Sequence, residues 1–211
     1  MKTAALIPFK RFSLAKRRLR EGLPAAAVEE LGRALLCDVL QAVRESPVSA
    51  VFALTEDAAV AEEARAQGAR VILDQPDPGL NASIESAERR VAEQGFEASL
   101  VVLGDLPLLT PREVEAVIEH GRRHPVVIVP AIDRGTAMLW RRPPGCIPSR
   151  FGPDSARAHQ EAAQRWGIEP ALLTGLDPLA RADLDTLEDA RRLVESGRPS
   201  RAATLLRRLL T

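Results

Sequence analysis

The chain has 211 residues, 29 of them Lys or Arg and 29 Asp or Glu, so its formal net charge is zero. That balance gives no electrostatic reason for nucleic acid or anionic lipid as a partner, and aromatics at 3% with no tyrosine supply a base-stacking surface poorly. Two cysteines, Cys37 and Cys146, make neither a disulfide framework nor a zinc site, and no apolar stretch approaches the ~20 residues of a bilayer span. A cytoplasmic protein with one domain over residues 1–211 is expected.

Thr3–Pro8 reads as a first strand. It runs into Lys10, Arg11, Lys16, Arg17, Arg18 and Arg20, a basic segment with no acidic residue among them. After the break at Leu23-Pro24, the spacing of Val28, Leu31, Leu35, Val39 and Val43 predicts a helix from Ala25 to Arg44 with one buried stripe. Val48–Leu54 is the next strand, with Thr55 capping an alanine-rich helix that ends near Gly68. Arg70–Leu73 is a short strand, residues 74–79 (DQPDPG) are a loop by composition, and Leu80–Glu93 is a helix.

In the stretch SLVVLGDLPLLT, Leu100–Gly104 carry no polar side chain. A short apolar run bounded by turn residues is a strand buried on both faces. Asp105 follows where that strand leaves the core, and Thr110-Pro111-Arg112-Glu113 opens a helix to Arg123 with a capping box and proline at its first position. Val126–Pro130 is another buried strand, Ala131–Gly135 a loop, Thr136–Trp140 its hairpin partner, and Arg141–Phe151 a long loop. A helix spans Asp154–Trp166, a short strand or bridge Arg181–Asp185, and helices Leu187–Glu195 and Ser200–Leu210 close the chain. Strand and helix alternate almost throughout, which predicts a three-layer α/β/α sandwich.

Several known ways of doing chemistry are missing. The chain has no GxxxxGK[ST] loop, no GxGxxG after the first strand, no GxSxG and no HExxH. His120, His124 and His159 show no ligand spacing. What remains are carboxylates and cations at strand ends, where open α/β sheets bind ligands. If Asp183-Leu184-Asp185 is extended, both aspartates share a face and Leu184 turns inward. Most such triplets are solvated turns, but with Asp105 this one supplies three hard oxygen ligands, suited to Mg2+ and wrong for zinc. Phe151-Gly152-Pro153-Asp154-Ser155 opens a helix whose free amides and Ser155 hydroxyl make a phosphate or carboxylate cradle, or simply an ordinary cap. Lys10 and Lys16 flank a turn where a phosphate chain fits, and a solvated basic face is the plainer alternative.

The runs IPFKRFSLAKRRL, GLNASI, VLGDLPLL, PAIDRGTAML, SRFGPDSARAH and ADLDTLED occur in this order. Together they resemble the 2-phospho-L-lactate / phosphoenolpyruvate guanylyltransferases of coenzyme F-420 biosynthesis, from about residue 5 to about residue 192. The resemblance implies a Rossmann-like mixed sheet of the GT-A nucleotidyltransferase type. It implies transfer of GMP from GTP to the phosphate of phosphoenolpyruvate or 2-phospholactate, with release of pyrophosphate. It assigns Asp105, Asp183 and Asp185 to Mg2+, and Thr136, Gly152 and Ser155 to the three-carbon phospho-acid. Lys10 and Lys16 match the phosphate-side, catalytic lysines, and Gly79, Leu80 and Asn81 the segment beside the guanine base. Ala137 departs from a pattern that often has asparagine after Gly-Thr.

A phosphate is already ionised at neutral pH, so positioning and charge neutralisation suffice for its attack on the α-phosphorus, and no nucleophilic serine or histidine is required. Two other readings fit the same residues: a GT-A-type nucleotidyltransferase using CTP or UTP on a sugar or polyol phosphate, and a non-catalytic nucleotide-binding module. The sequence leaves the choice of phospho-acid open, and its leucine-rich last helix allows a homodimer.

Overall fold

A computed structural model describes residues 1–12, 17–73 and 79–210. Lys16 and all of the predicted 74–79 loop except Gly79 lie outside these residues. The elements run in the order β1 (Thr3–Pro8), α1 (Ala25–Arg44), β2 (Ala50–Thr55), α2 (Ala58–Ala66), β3 (Arg70–Leu73), α3 (Leu80–Glu93) and β4 (Ala98–Val102). They continue with α4 (Pro111–Gly121), β5 (Val126–Pro130), β6 (Thr136–Arg141), α5 (Ser155–Arg165), β7 (Ala171–Leu172), α6 (Leu187–Glu195) and α7 (Arg201–Leu209). Two 3-10 turns, Arg17–Glu21 and Pro178–Arg181, join them.

The seven strands form one mixed sheet in the order β3-β2-β1-β4-β6-β5-β7. β6 alone runs against its neighbours, pairing antiparallel with β4 and β5, while the other pairings are parallel. Alternation along the strands sorts the core into two layers. Ala5, Ile7, Leu100, Val102 and Trp140 face the apolar stripes of α1, α4, α6 and α7. Ala4, Leu6, Val101 and Leu139 face Ile84, Ala87 and Val91 of α3 and Ala163 of α5. The expected three-layer sandwich is present. No helix among the described residues is long and apolar enough to cross a membrane.

Local chemistry explains most boundaries. The Thr110/Glu113 capping box starts α4, and Thr186/Asp189 form another at α6. Three expectations are corrected. The α2 N-cap is Asp57, whose carboxylate accepts from Ala59 and Val60; Thr55 ends β2 and its hydroxyl accepts from the Asp57 amide at 3.1 Å. Residues 181–185 form no strand: the Pro178–Arg181 turn uses the first of them, and the last strand is the two-residue β7, a pairing too short to leave a periodic signal. Arg141 is the last residue of β6 rather than the first of a loop.

Arg141 is also the main departure from an apolar core. It is fully buried, and its Nε lies 2.9 Å from Glu88 of α3, which is buried as well. Its Nη1 donates to the Ile147 carbonyl at 3.0 Å and to Ser149 Oγ at 2.9 Å. The Ser99 hydroxyl of β4 donates to Glu88, and the Ser149 amide donates to Glu85 at 3.0 Å. Burial pushes the Glu88 carboxyl up from its ordinary range, opposed by the Arg141 charge and the Ser99 hydroxyl. The network fastens the 142–151 return loop to the sheet and to α3.

Removing one partner strands a buried charge. Arg141→Met should cost about 3–5 kcal/mol, read in urea as a lower midpoint at unchanged slope. The Glu88→Leu/Arg141→Met double variant should recover roughly half of that loss or more. A double variant as unstable as the single one would show instead that the pair itself is a net source of stability.

Candidate active site

The sheet register brings the predicted residues to one edge. Val102 of β4 pairs with Met138 of β6, and the Leu103 amide donates to the Ala137 carbonyl at 3.1 Å. Asp105, just past the end of β4, and Thr136, the first residue of β6, therefore leave the sheet together. Gly104 makes this exit possible. A Cβ there would sit 2.5 Å from the Phe9 ring and 3.1 Å from the Pro8 carbonyl oxygen, so the turn before Asp105 presses against the end of β1.

The 182–185 segment comes to Asp105 through the backbone. The Leu184 amide donates to the Asp105 carbonyl at 3.2 Å, and Leu184 is buried in the core between two half-buried aspartates. The Arg181 guanidinium ties the same segment to the end of β5, donating to the Pro130 carbonyl at 3.0 Å. On the other side, Asp189 accepts from the amides of Asp185 and Thr186 at 3.1 and 2.8 Å. Burial raises the Asp189 carboxyl, but these bonds and the Thr186 hydroxyl outweigh it and hold it below the ordinary range. Asp105, Asp183 and Asp185 thus each present a carboxylate oxygen, all within 4.8 Å of one another. Three hard oxygen donors with no nitrogen or sulfur among them form a site that can hold a divalent metal ion.

Beside this cluster lies a hydroxyl pair. Thr136 and Ser155 are each 1% exposed, and Ser155 Oγ donates to Thr136 Oγ1 at 3.0 Å. Gly152, three residues before Ser155, has φ 143°, and a Cβ there would meet nothing within 4 Å, so the space beside the loop is open. The cradle differs from the expected one: the Ser155 amide already donates to the Gly152 carbonyl at 3.2 Å, and the Ala156 amide to the Arg134 carbonyl at 3.4 Å. The hydroxyls, more than the first amides of α5, are the polar groups on offer. Arg134 (φ 73°) and Asp154 (φ 52°) adopt left-handed backbone and form an ion pair at 3.1 Å, joining the β5–β6 loop to the start of α5.

Gly79, Leu80 and Asn81 open α3, with Gly79 as N-cap at φ 76°. Asn81 holds the 151–155 loop by two hydrogen bonds, Nδ2 to the Phe151 carbonyl at 3.0 Å and Oδ1 from the Phe151 amide at 2.8 Å. The segments matched to guanine and to the phospho-acid are therefore neighbours. Lys10 is exposed just beyond β1, and the next residue, Arg11, pairs with Glu56 at 3.1 Å.

One residue escaped the sequence reading. His159, fully buried on α5, places Nδ1 3.0 Å from Thr136 Oγ1 and accepts at Nε2 from the Arg150 amide at 2.9 Å. Burial and the nearby Arg141 charge push its pKa down to about 3, against a backbone hydrogen bond with Ser155. The signal available was its spacing, four residues after Ser155 on one helix face. Of the cysteines, Cys37 packs within α1, where burial first and then Glu63 push its thiol up to about 11; burial also raises half-buried Cys146.

Over residues 3–211 the sequence matches a protein family described as guanylyl transferase CofC like. A phosphoenolpyruvate guanylyltransferase from Rubrobacter xylanophilus is 38% identical over 213 residues, covering 96% of this chain and 100% of that protein. A 2-phospho-L-lactate guanylyltransferase from Methanothermobacter thermautotrophicus is 31% identical over 209 residues, covering 99% and 92%. Among solved structures, a protein from Desulfovibrio desulfuricans G20 described as a nucleotide-diphospho-sugar transferase superposes with a TM-score of 0.82 at 20% identity, covering 99% of this chain and 95% of that one. The fold is of the α/β GT-A-like nucleotidyltransferase kind.

A ligand that binds only the folded state stabilises it by mass action. Millimolar Mn2+ or Mg2+ should raise the melting temperature of the wild type in a thermal-shift assay. Asp183→Asn and Asp185→Asn should abolish the rise. An unchanged rise in both variants would place the cation elsewhere.

Proposed function

From a chain that belongs to the CofC-like guanylyl transferase family, we propose an enzyme that transfers GMP from GTP to the phosphate of phosphoenolpyruvate or 2-phospho-L-lactate, releasing pyrophosphate. The observation that carries the reading is the convergence of three carboxylates within 4.8 Å at the sheet edge that also holds the Thr136–Ser155 hydroxyl pair. The names of relatives covered over more than nine-tenths of their length support this substrate class.

In this reading Asp105, Asp183 and Asp185 hold Mg2+, which when bound supplies charge neutralisation at the triphosphate and the departing pyrophosphate. Thr136, Ser155 and the Gly152 backbone bind and orient the phospho-acid. One of its phosphate oxygens attacks the α-phosphorus of GTP; a new P–O bond forms as the bond from the α-phosphorus to the oxygen bridging the β-phosphorus breaks. The attacking oxygen is already ionised, so no residue has to remove a proton, and catalysis lies in alignment and charge neutralisation. Lys10 and Lys16 are assigned to the phosphates of the nucleotide. Gly79 and Leu80 line the guanine side, where Asn81 fixes the loop between the two substrates.

Purified protein incubated with GTP, Mg2+ and each phospho-acid should release pyrophosphate, and CTP or UTP should support little turnover. Absence of pyrophosphate release from GTP with both acids, in protein that folds and binds GTP, would refute the assignment. Asp105→Asn and Asp185→Asn should remove turnover while leaving the unfolding midpoint within a few degrees of wild type. Ser155→Ala, losing a hydrogen bond to a charged group, should raise KM for the phospho-acid by roughly tenfold to a hundredfold.

A further inference from the structure

The hydrogen bonds around His159 fix which ring nitrogen carries the proton. A backbone amide can only donate, so the Arg150 N–H pointing at Nε2 from 2.9 Å requires a lone pair there. With His159 fully buried and neutral, the ring proton is on Nδ1, which faces Thr136 Oγ1 at 3.0 Å. An N–H at that position, facing Thr136 Oγ1 and hydrogen-bonded to the Ser155 backbone, cannot accept the Thr136 proton.

A proton count on the hydroxyl pair follows. Thr136 and Ser155 own one hydroxyl proton each. The Ser155–Thr136 bond of 3.0 Å consumes one of them, whichever way it points. With Nδ1 protonated the other is not taken by the ring, so the pair retains a proton to donate. With the opposite tautomer, Nδ1 would accept from Thr136 and Ser155 would donate to Thr136. Both protons would then be spent, and the pair would offer an incoming group only lone pairs, which repel an anion.

We propose that His159 is a positioning residue for the anionic substrate: through the Nδ1 proton it leaves the Thr136–Ser155 pair one hydroxyl proton to donate to a phosphate or carboxylate oxygen. This deepens the assignment of Thr136 and Ser155 to the phospho-acid and rests on that reading. His159 does not touch the reacting atoms. Its four-residue spacing from Ser155 places both side chains on one face of α5, and the T-shaped contact of its ring with Phe151, 4.8 Å between centroids, holds the ring plane.

The first measurement needs no variant. Two-dimensional 1H–15N correlation spectra of the His159 ring in the wild-type protein at pH 7 should show a protonated Nδ1 and an unprotonated Nε2. A protonated Nε2, or an imidazolium, overturns the inference; if that same protein transfers GMP, the proposed reaction stands without it. The second is kinetic. His159→Phe keeps the ring contact with Phe151 and removes the donor, and should raise KM for the phospho-acid roughly tenfold or more with KM for GTP unchanged. His159→Asn, whose amide N–H can occupy the Nδ1 position, should restore most of the loss. In a Thr136→Ala background, His159→Phe should add little. Equal losses for both substrates, or no rescue by asparagine, would mark His159 as structural only and overturn the inference. If His159→Phe fails to fold, the ring spectra of the wild type still decide.

Discussion

Arg141 and Glu88 lie 2.9 Å apart with neither side chain exposed, and four parts of the fold meet at that contact. Arg141 ends β6, Glu88 stands in the middle of α3, Ser99 of β4 donates to the carboxylate, and Ile147 and Ser149 of the return loop take the guanidinium protons. Desolvating two charges costs several kcal/mol per ion before any gain. That cost is offset in part by hydrogen bonds to the pair, from Ser99 of β4 on the carboxylate and to Ile147 and Ser149 of the loop leading into the site from the guanidinium, while Glu88 Oε2 and Arg141 Nη2 have no hydrogen-bond partner among the described residues. Arg150, whose amide orients His159, is the next residue after Ser149, and Phe151, held by Asn81, follows. The Arg141 charge also helps to keep the His159 ring neutral. The buried ion pair thereby helps to place His159, and its charge adds to the burial that keeps the ring neutral.

The antiparallel strand β6 has a consequence that a wholly parallel sheet would lack. Parallel strands contribute only their carboxyl ends to the ligand edge. Because β6 runs the other way, its first residue, Thr136, stands beside the exit of β4 and Asp105. Its last residue, Arg141, is left at the opposite end, where the ion pair anchors the return loop. One strand therefore carries the Thr136 hydroxyl at one end and the structural cation at the other. The four residues between them are apolar, apart from the backbone, and fully buried.

Much of this was legible in the chain. The periodicity of α1, the capping box of α4, the buried runs of β4 and β5, and the GLN, FGPDS and DLD segments all carry local signals. The Asp183-Leu184-Asp185 triplet follows alternation, with Leu184 inward, although it is tied by the Leu184 amide to the Asp105 carbonyl and by the Asp185 amide to Asp189 rather than in a strand. What sequence did not reveal is non-local. Arg141 reads as the first residue of a Pro-rich loop, since nothing near it announces a partner 53 residues earlier. His159 has no metal-ligand spacing to another histidine; its partners are a threonine, a backbone amide and the Ser155 backbone one helical turn away, which no local pattern announces. The amides at the start of α5 looked free because their acceptors come from the loop's own fold and from Arg134.

The site confronts an electrostatic difficulty that its layout addresses. In the proposed reaction two anionic substrates converge next to three carboxylates, so like charges crowd one sheet edge. Cations are the direct remedy, and the chain concentrates them at two levels: an acidic cluster composed for a hard divalent ion, and the basic segment that leaves β1 beginning at Lys10. A further positive side chain at the phospho-acid would bind tightly in the ground state and lend little to the transition state. In the proposed reaction, neutral hydroxyls oriented by a neutral histidine add directional hydrogen bonds to the acid. On this view the burial that keeps His159 uncharged serves the reaction as well as the fold.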